Sequence, residues 1–153
     1  MAATPKTRAD GQLSALAGEL FVAAELLKRE FQTSVTFGNA KAIDLLAHNP
    51  KIDYTFPVQV KALRTTNYFL INRDRVHPAH IYVFVLLNKP GESVRYFIVP
   101  GSVLTDEAER FGKDFQHPTM PGIHPKRLAE FEDAWYHFDK IPAVAAPLTT
   151  EGA

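Results

Sequence analysis

Asp44 and the tripeptide Gln59-Val60-Lys61, fifteen residues further on, carry the side chains in this 153-residue chain that are best suited to chemistry. Glu19 precedes them in a segment with helical spacing. Oxygen-bearing side chains of this kind hold hard divalent cations. A lysine ammonium beside them can orient a water or meet negative charge as it develops. Hydrolysis of a phosphodiester needs this combination, provided that the residues converge.

The elements that must position them can be read from periodicity and turn residues. From Leu13 to Phe31, the residues Leu13, Leu16, Leu20, Ala23 and Leu27 recur at three- and four-residue steps, the mark of an amphipathic helix buried on that stripe. Asp10 or Ser14 would cap it, and Lys28, Arg29 and Glu30 end it on the polar side. Glu19 lies at the edge of the stripe, where a carboxylate can reach into a cleft. Short strands are expected at Thr33 to Phe37, closed by Gly38-Asn39, at Ala42 to His48, and at Thr55 to Leu63 after the turn Asn49-Pro50-Lys51. Three more follow at Tyr68 to Ile71, Ile81 to Leu87 and Val94 to Val99, and Pro100-Gly101 stops the sheet. Helices are expected at Val103 to Phe111 and Pro125 to Phe138, joined by a His/Pro/Gly-rich loop. The expected organisation is one domain over residues 11–141, with disordered ends at 1–10 and 142–153.

Register then brings the candidates together. Ile43, Leu45 and Ala47 alternate with Asp44 and His48, and Phe56, Val58 and Val60 alternate with Gln59 and Lys61. Matching apolar faces in an antiparallel hairpin pairs Leu45 with Val58 and Ile43 with Val60. Asp44 then stands opposite Gln59, with Cβ atoms about 5 Å apart, and Lys61 is two residues on along the same face. Leu46 is an apolar exception there. Asp, Gln and Lys are also ordinary on a solvent-facing hairpin. The distinguishing feature is the order: helix with Glu, strand with Asp, strand with Gln-x-Lys.

Composition narrows the classes. Seventeen Lys and Arg balance seventeen Asp and Glu, which counts against a basic nucleic-acid coating protein but not against an enzyme with one basic face. Arg64, Arg73 and Arg75, followed by His77 and His80, come soon after Lys61 and are the candidates for such a face; a solvated loop is the alternative. There is no cysteine, which excludes disulfides and thiolate metal sites. No apolar run approaches the roughly 18 residues of a membrane span, and the polar N-terminus has no signal-peptide core, so a cytoplasmic location is the default expectation. The six histidines show no zinc spacing: Pro78 separates His77 from His80, and His117 and His124 sit in a Pro/Gly loop. Trp135 and Tyr136 could stack on a base, but Trp135 shares its spacing with Leu128 and Phe131 and reads as core.

The ordered set from Gly11 to Pro100 resembles the PD-(D/E)XK nuclease superfamily. In that family a helix with a glutamate precedes a β-meander bearing Asp and then (Asp/Glu)-x-Lys. Glu19, Asp44, Gln59 and Lys61 match these positions in order. Ile43 stands where many members have proline. Gln59 replaces an acid, as in the Gln-x-Lys variants of Mrr-like restriction enzymes and cyanobacterial intron-encoded nucleases; Tyr96 to Pro100 resembles the end of the sheet in the latter. The resemblance implies an α/β restriction-endonuclease-like core, with an N-terminal helix and a mixed, mainly antiparallel β-meander sheet flanked by helices. It implies Mg²⁺ or Mn²⁺ held by Asp44, Gln59 and the Val60 carbonyl, with Glu19 contributing directly or through water, and Lys61 beside the attacking water. It implies DNA as substrate and, for cutting both strands, a homodimer or two binding events. Two rivals stand against catalysis: a nuclease-derived binding or protein-interaction module that has lost it, favoured by neutral charge and Gln59, and a regulatory protein on the same fold.

Overall fold

A computed structural model describes residues 8–36 and 43–144. Helix α1 (Arg8–Lys28) is followed by strands β1 (Gln32–Val35), β2 (Leu45–Asn49), β3 (Tyr54–Leu63), β4 (Phe69–Leu70), β5 (Ile81–Leu86) and β6 (Arg95–Pro100). Helix α2 (Gly101–Asp106) and strand β7 (Gly122–Ile123) come next, with 3₁₀ turns around them. The main sheet has the order β1-β2-β3-β5-β6. Its pairs are antiparallel except for β3 with β5, which run parallel. β4 pairs with β7 in a separate small sheet.

Alternation along the strands builds one core on each side of the sheet. On the first side, Leu45, Ala47, Phe56, Val58, Val83 and Ile98 pack under Val22 and Leu26 of α1. On the second, Tyr82, Phe84, Phe97 and Val99 meet Leu104 of α2 and the phenylalanines of the 3₁₀ turns. This second layer stops short of β2, whose Leu46 is exposed. The far side of β2 is therefore open at Leu46, while Gln59 on the same side of β3 is buried. The fold is α/β, with a mixed, mainly antiparallel sheet between helical layers.

The strands fall within a few residues of their expected bounds. The helices need correction. α1 begins at Arg8, so residues 8–10 are helical and neither Asp10 nor Ser14 caps it; Ser14 is buried inside the helix. The leucine stripe is not its buried face: Leu13, Leu16, Leu20 and Leu27 are 57, 40, 48 and 54% exposed. The sheet is met instead by Ser14, Gly18, Val22, Ala23 and Leu26. α1 is apolar on both faces, so periodicity offers two stripes, and the one with small residues lets the helix come nearer the strands.

The expected helix at Val103 to Phe111 is split into α2 and a 3₁₀ turn, Ala108–Phe111. The one at Pro125 to Phe138 is two 3₁₀ turns, Pro125–Phe131 and Trp135–Phe138. Asp133 between them has φ +54°, and its N–H donates to the Tyr96 carbonyl at 2.9 Å. The chain crosses the sheet edge there, so Leu128 and Phe131 join the second core and Trp135 and Phe138 the first. Trp135 is buried core, as its spacing indicates, rather than a free stacking platform. The expected disorder of residues 1–7 and 145–153 and the Gly38-Asn39 turn lie outside the described residues. Among those described, no helix is long and apolar enough to cross a membrane.

Candidate active site

Glu19 is delivered by the close approach of α1 to β3. A Cβ built on Gly18 would lie 2.6 Å from the Ala62 Cβ and 3.4 Å from Val60 Cγ1, so only glycine fits without moving the helix. Glu19, the next residue, is thereby held beside the middle of β3. Ser14, one turn earlier, accepts a hydrogen bond from Arg64 Nε at 2.7 Å and ties the same helix to the end of β3.

Asp44 is placed by a bulge. β2 and β3 pair in the expected register, Leu45 with Val58 and Ala47 with Phe56. The Asp44 N–H donates to the carbonyl of Val58 at 2.9 Å, so Asp44 and Leu45 both face Val58. The direct opposition of Asp44 and Gln59 expected from the register is therefore not formed. Asp44 Oδ2 instead accepts the Val60 N–H at 2.8 Å, taking the place of a ladder carbonyl. The carboxylate sits in the line of the sheet's own hydrogen bonds, against the residue between Gln59 and Lys61. Thr36, at the end of β1, fixes its backbone: the Thr36 N–H donates to the Asp44 carbonyl at 2.9 Å and its hydroxyl donates to the carbonyls of Ile43 and Asp44.

Burial raises the pKa of Glu19, and the Asp44 charge raises it further. The Asp44 charge thus disfavours an ionised Glu19, an effect that a bound divalent cation would offset. Among the described residues no group of three His, Cys, Asp or Glu could hold a metal. An ion here would be shared by two carboxylates and completed by neutral oxygens.

Gln59 and Lys61 point to the second side of the sheet. Gln59 is 8% exposed, and its Nε2 donates to His80 Nδ1 at 3.0 Å and to Tyr82 Oη at 2.8 Å. Tyr82 Oη also accepts the His77 N–H at 2.8 Å. Burial, and then the charge of neighbouring His77, lower the His80 pKa to about 4, so that ring is neutral at pH 7. Burial raises the Tyr82 phenol, against the opposing effect of its two donors. Lys61 lies between two adjoining cavities. One, of about 700 Å³, is lined by Ala15, Val60, Tyr68, Asp114 and Met120. The other, of about 340 Å³, is lined by Gln59, Arg75 and Tyr82.

The structure therefore ties Asp44 to Val60 by a hydrogen bond and lets its charge raise the Glu19 pKa, while the side chains of Gln59 and Lys61, on either side of Val60, turn to the second side of the sheet. Of the arginines singled out for a basic face, Arg75 lines the smaller cavity. Arg64 is engaged with Ser14, and Arg73 donates to the Thr105 carbonyl at 2.7 Å. Sequence reasoning missed the roles of Gly18, His80 and Tyr82. The signal for the last two is the parallel pairing of Gln59 with Tyr82, which a meander does not suggest.

No protein-family model matches the chain, and no curated protein sequence matches it. Among solved structures, the bacterial homing endonuclease I-Ssp6803I superposes with a TM-score of 0.56 at 15% identity, over 83% of this chain and 89% of its own. At that identity the likeness is one of fold: this chain folds as an endonuclease does.

Proposed function

We propose that the chain is a metal-dependent endonuclease of the PD-(D/E)XK type that hydrolyses phosphodiester bonds in DNA. The observation that carries this reading is the Asp44 carboxylate held on the Val60 N–H, one residue from Lys61, with Glu19 near enough to feel its charge, on a fold shared with an endonuclease. Asp44, the Gln59 amide and the Val60 carbonyl would hold Mg²⁺ or Mn²⁺, with Glu19 directly or through water. All are hard oxygen donors, as such ions require. The bound ion supplies a water of lowered pKa and neutralises charge on the phosphate. Lys61, which lines both cavities, would orient that water and meet charge developing on the phosphate. Arg75 would lead the DNA backbone toward Lys61, with Arg64 and Arg73 further out. A single site cuts one strand, so a double-strand break needs a homodimer or two encounters.

The test is incubation with duplex, branched and single-stranded DNA in Mg²⁺, Mn²⁺ or chelator. Cleavage is expected with metal and not with chelator. Asp44→Asn should abolish it, and Lys61→Ala should slow it by about two to three orders of magnitude, as for a lost transition-state donor. Activity that persists in chelator, or in either variant at full rate, excludes this mechanism. DNA binding without cleavage would support a binding module instead.

A further inference from the structure

The cluster under β3 has a consequence for Gln59. A side-chain amide presents two N–H donors on one end and an acceptor oxygen on the other. Nδ1 of His80 and Oη of Tyr82 lie 3.0 and 2.8 Å from the Gln59 nitrogen, one for each N–H. For Nδ1 to accept, the His80 ring must carry its proton on Nε2. Tyr82 Oη is already an acceptor, since it takes the His77 N–H. We propose that His80 and Tyr82 are positioning residues: they hold both N–H groups of Gln59, so that its carbonyl oxygen is the end left to face the cleft. The consequence for metal binding rests on the function proposed above; the orientation itself does not.

The histidine is held by backbone rather than by chance packing. The His80 N–H donates to the His77 carbonyl at 3.1 Å, and the Gly101 N–H donates to the His80 carbonyl at 2.8 Å. A Cβ at Gly101 would collide with the His77 carbonyl and come within 2.9 Å of that of His80. The rings of His77 and His80 stack with centroids 4.0 Å apart and planes 4° from parallel. Nδ1 of His77 is itself an acceptor, taking the Ala79 N–H at 3.2 Å. The whole loop thus turns acceptor atoms toward N–H groups. Reversing the Gln59 amide would set its oxygen against the Nδ1 lone pair.

Two measurements test this. In the metal-free, unmodified protein, ¹⁵N NMR of the His80 ring should show Nδ1 unprotonated and Nε2 protonated; a protonated Nδ1 overturns the proposal. Mg²⁺ affinity by calorimetry should then be compared in the unmodified protein, Tyr82→Phe, Gln59→Glu and the double variant. Tyr82→Phe should weaken binding by about tenfold in the Gln59 protein, the usual scale for loss of a partner that orients a ligand. It should change nothing in the Gln59→Glu background, because a carboxylate offers an oxygen in either orientation. Equal losses in both backgrounds would reduce Tyr82 to general support of the fold and overturn the positioning role. If the unmodified protein binds no metal, the nuclease reading fails separately, and the tautomer still decides the orientation.

Discussion

Gln59 is the residue on which the chemistry of this site turns. It contributes an oxygen but no charge, so Glu19 and Asp44 are the two carboxylates of the candidate set. Fewer charges mean less repulsion without metal and weaker attraction with it. Gln59→Glu should therefore tighten Mg²⁺ binding, measured by calorimetry. It should also lower the melting temperature of the metal-free protein, with recovery as Mg²⁺ is added, because an ion that binds the folded state stabilises it. A variant that binds Mg²⁺ no more tightly than the parent would remove Gln59 from the ligand set. Asp44 makes a separate point at the same scale. Its carboxylate is fixed by a backbone N–H rather than by another side chain, so its placement depends on the bulge and not on what occupies position 59.

At the level of elements, α1 shows what the sequence could and could not reveal. Its existence was legible, and so was Glu19 at the margin of its buried face. Which face is buried was not, because Leu13, Leu16 and Leu20 recur at helical steps just as Ser14, Gly18 and Val22 do, and the leucines are the more apolar set. Leu26→Ala, in the true core, should cost about 2–5 kcal/mol of stability. Leu20→Gln, on the exposed stripe, should change it by about 0.5 kcal/mol or less. Chemical denaturation of the two variants settles the comparison. Gly18→Val should push α1 from β3 at a cost of about 1–3 kcal/mol, as overpacking does, and should carry Glu19 away from Asp44. If cleavage is metal-dependent, it should fall more in Gly18→Val than in Leu26→Ala at matched stability. The strands were legible because β2 and β3 alternate apart from Leu46, and their register followed from Leu45 and Val58. The bulge at Asp44 was not, since it comes from competition between a carboxylate and a carbonyl for one N–H. The helix expected from Pro125 to Phe138 failed for another reason. Its apolar residues do recur at helical steps, but they serve two cores on opposite sides of the sheet, and one positive φ at Asp133 divides them.

For the whole molecule, His80 and His137 contribute to the response to acid. The His80 pKa is held near 4 in the folded protein, below the ordinary 6.5. The unfolded chain binds that proton more tightly, so protonation favours unfolding. Its stabilising contribution is complete above about pH 6.5 and is lost as pH falls toward 4, by at most about 3 kcal/mol. His137, lowered by burial and then by Lys140, acts in the same direction, while the raised carboxyl of Glu19 acts in the opposite one. Denaturation curves across this range should show the decline, and His80→Gln should flatten it. The parallel pairing of β3 with β5 carries a consequence in time. The β2–β3 hairpin joins neighbours in the chain and can form early, taking Asp44 and the Val60 N–H with it. Tyr82 and His80 reach Gln59 only when the long crossover, residues 64–80, has closed, and such distant pairings form late. Tyr82→Phe should accordingly speed unfolding in stopped-flow experiments and leave the folding rate nearly unchanged, while Phe56→Leu in the hairpin slows folding. The molecule would then acquire its carboxylate before it acquires the groups that orient its amide.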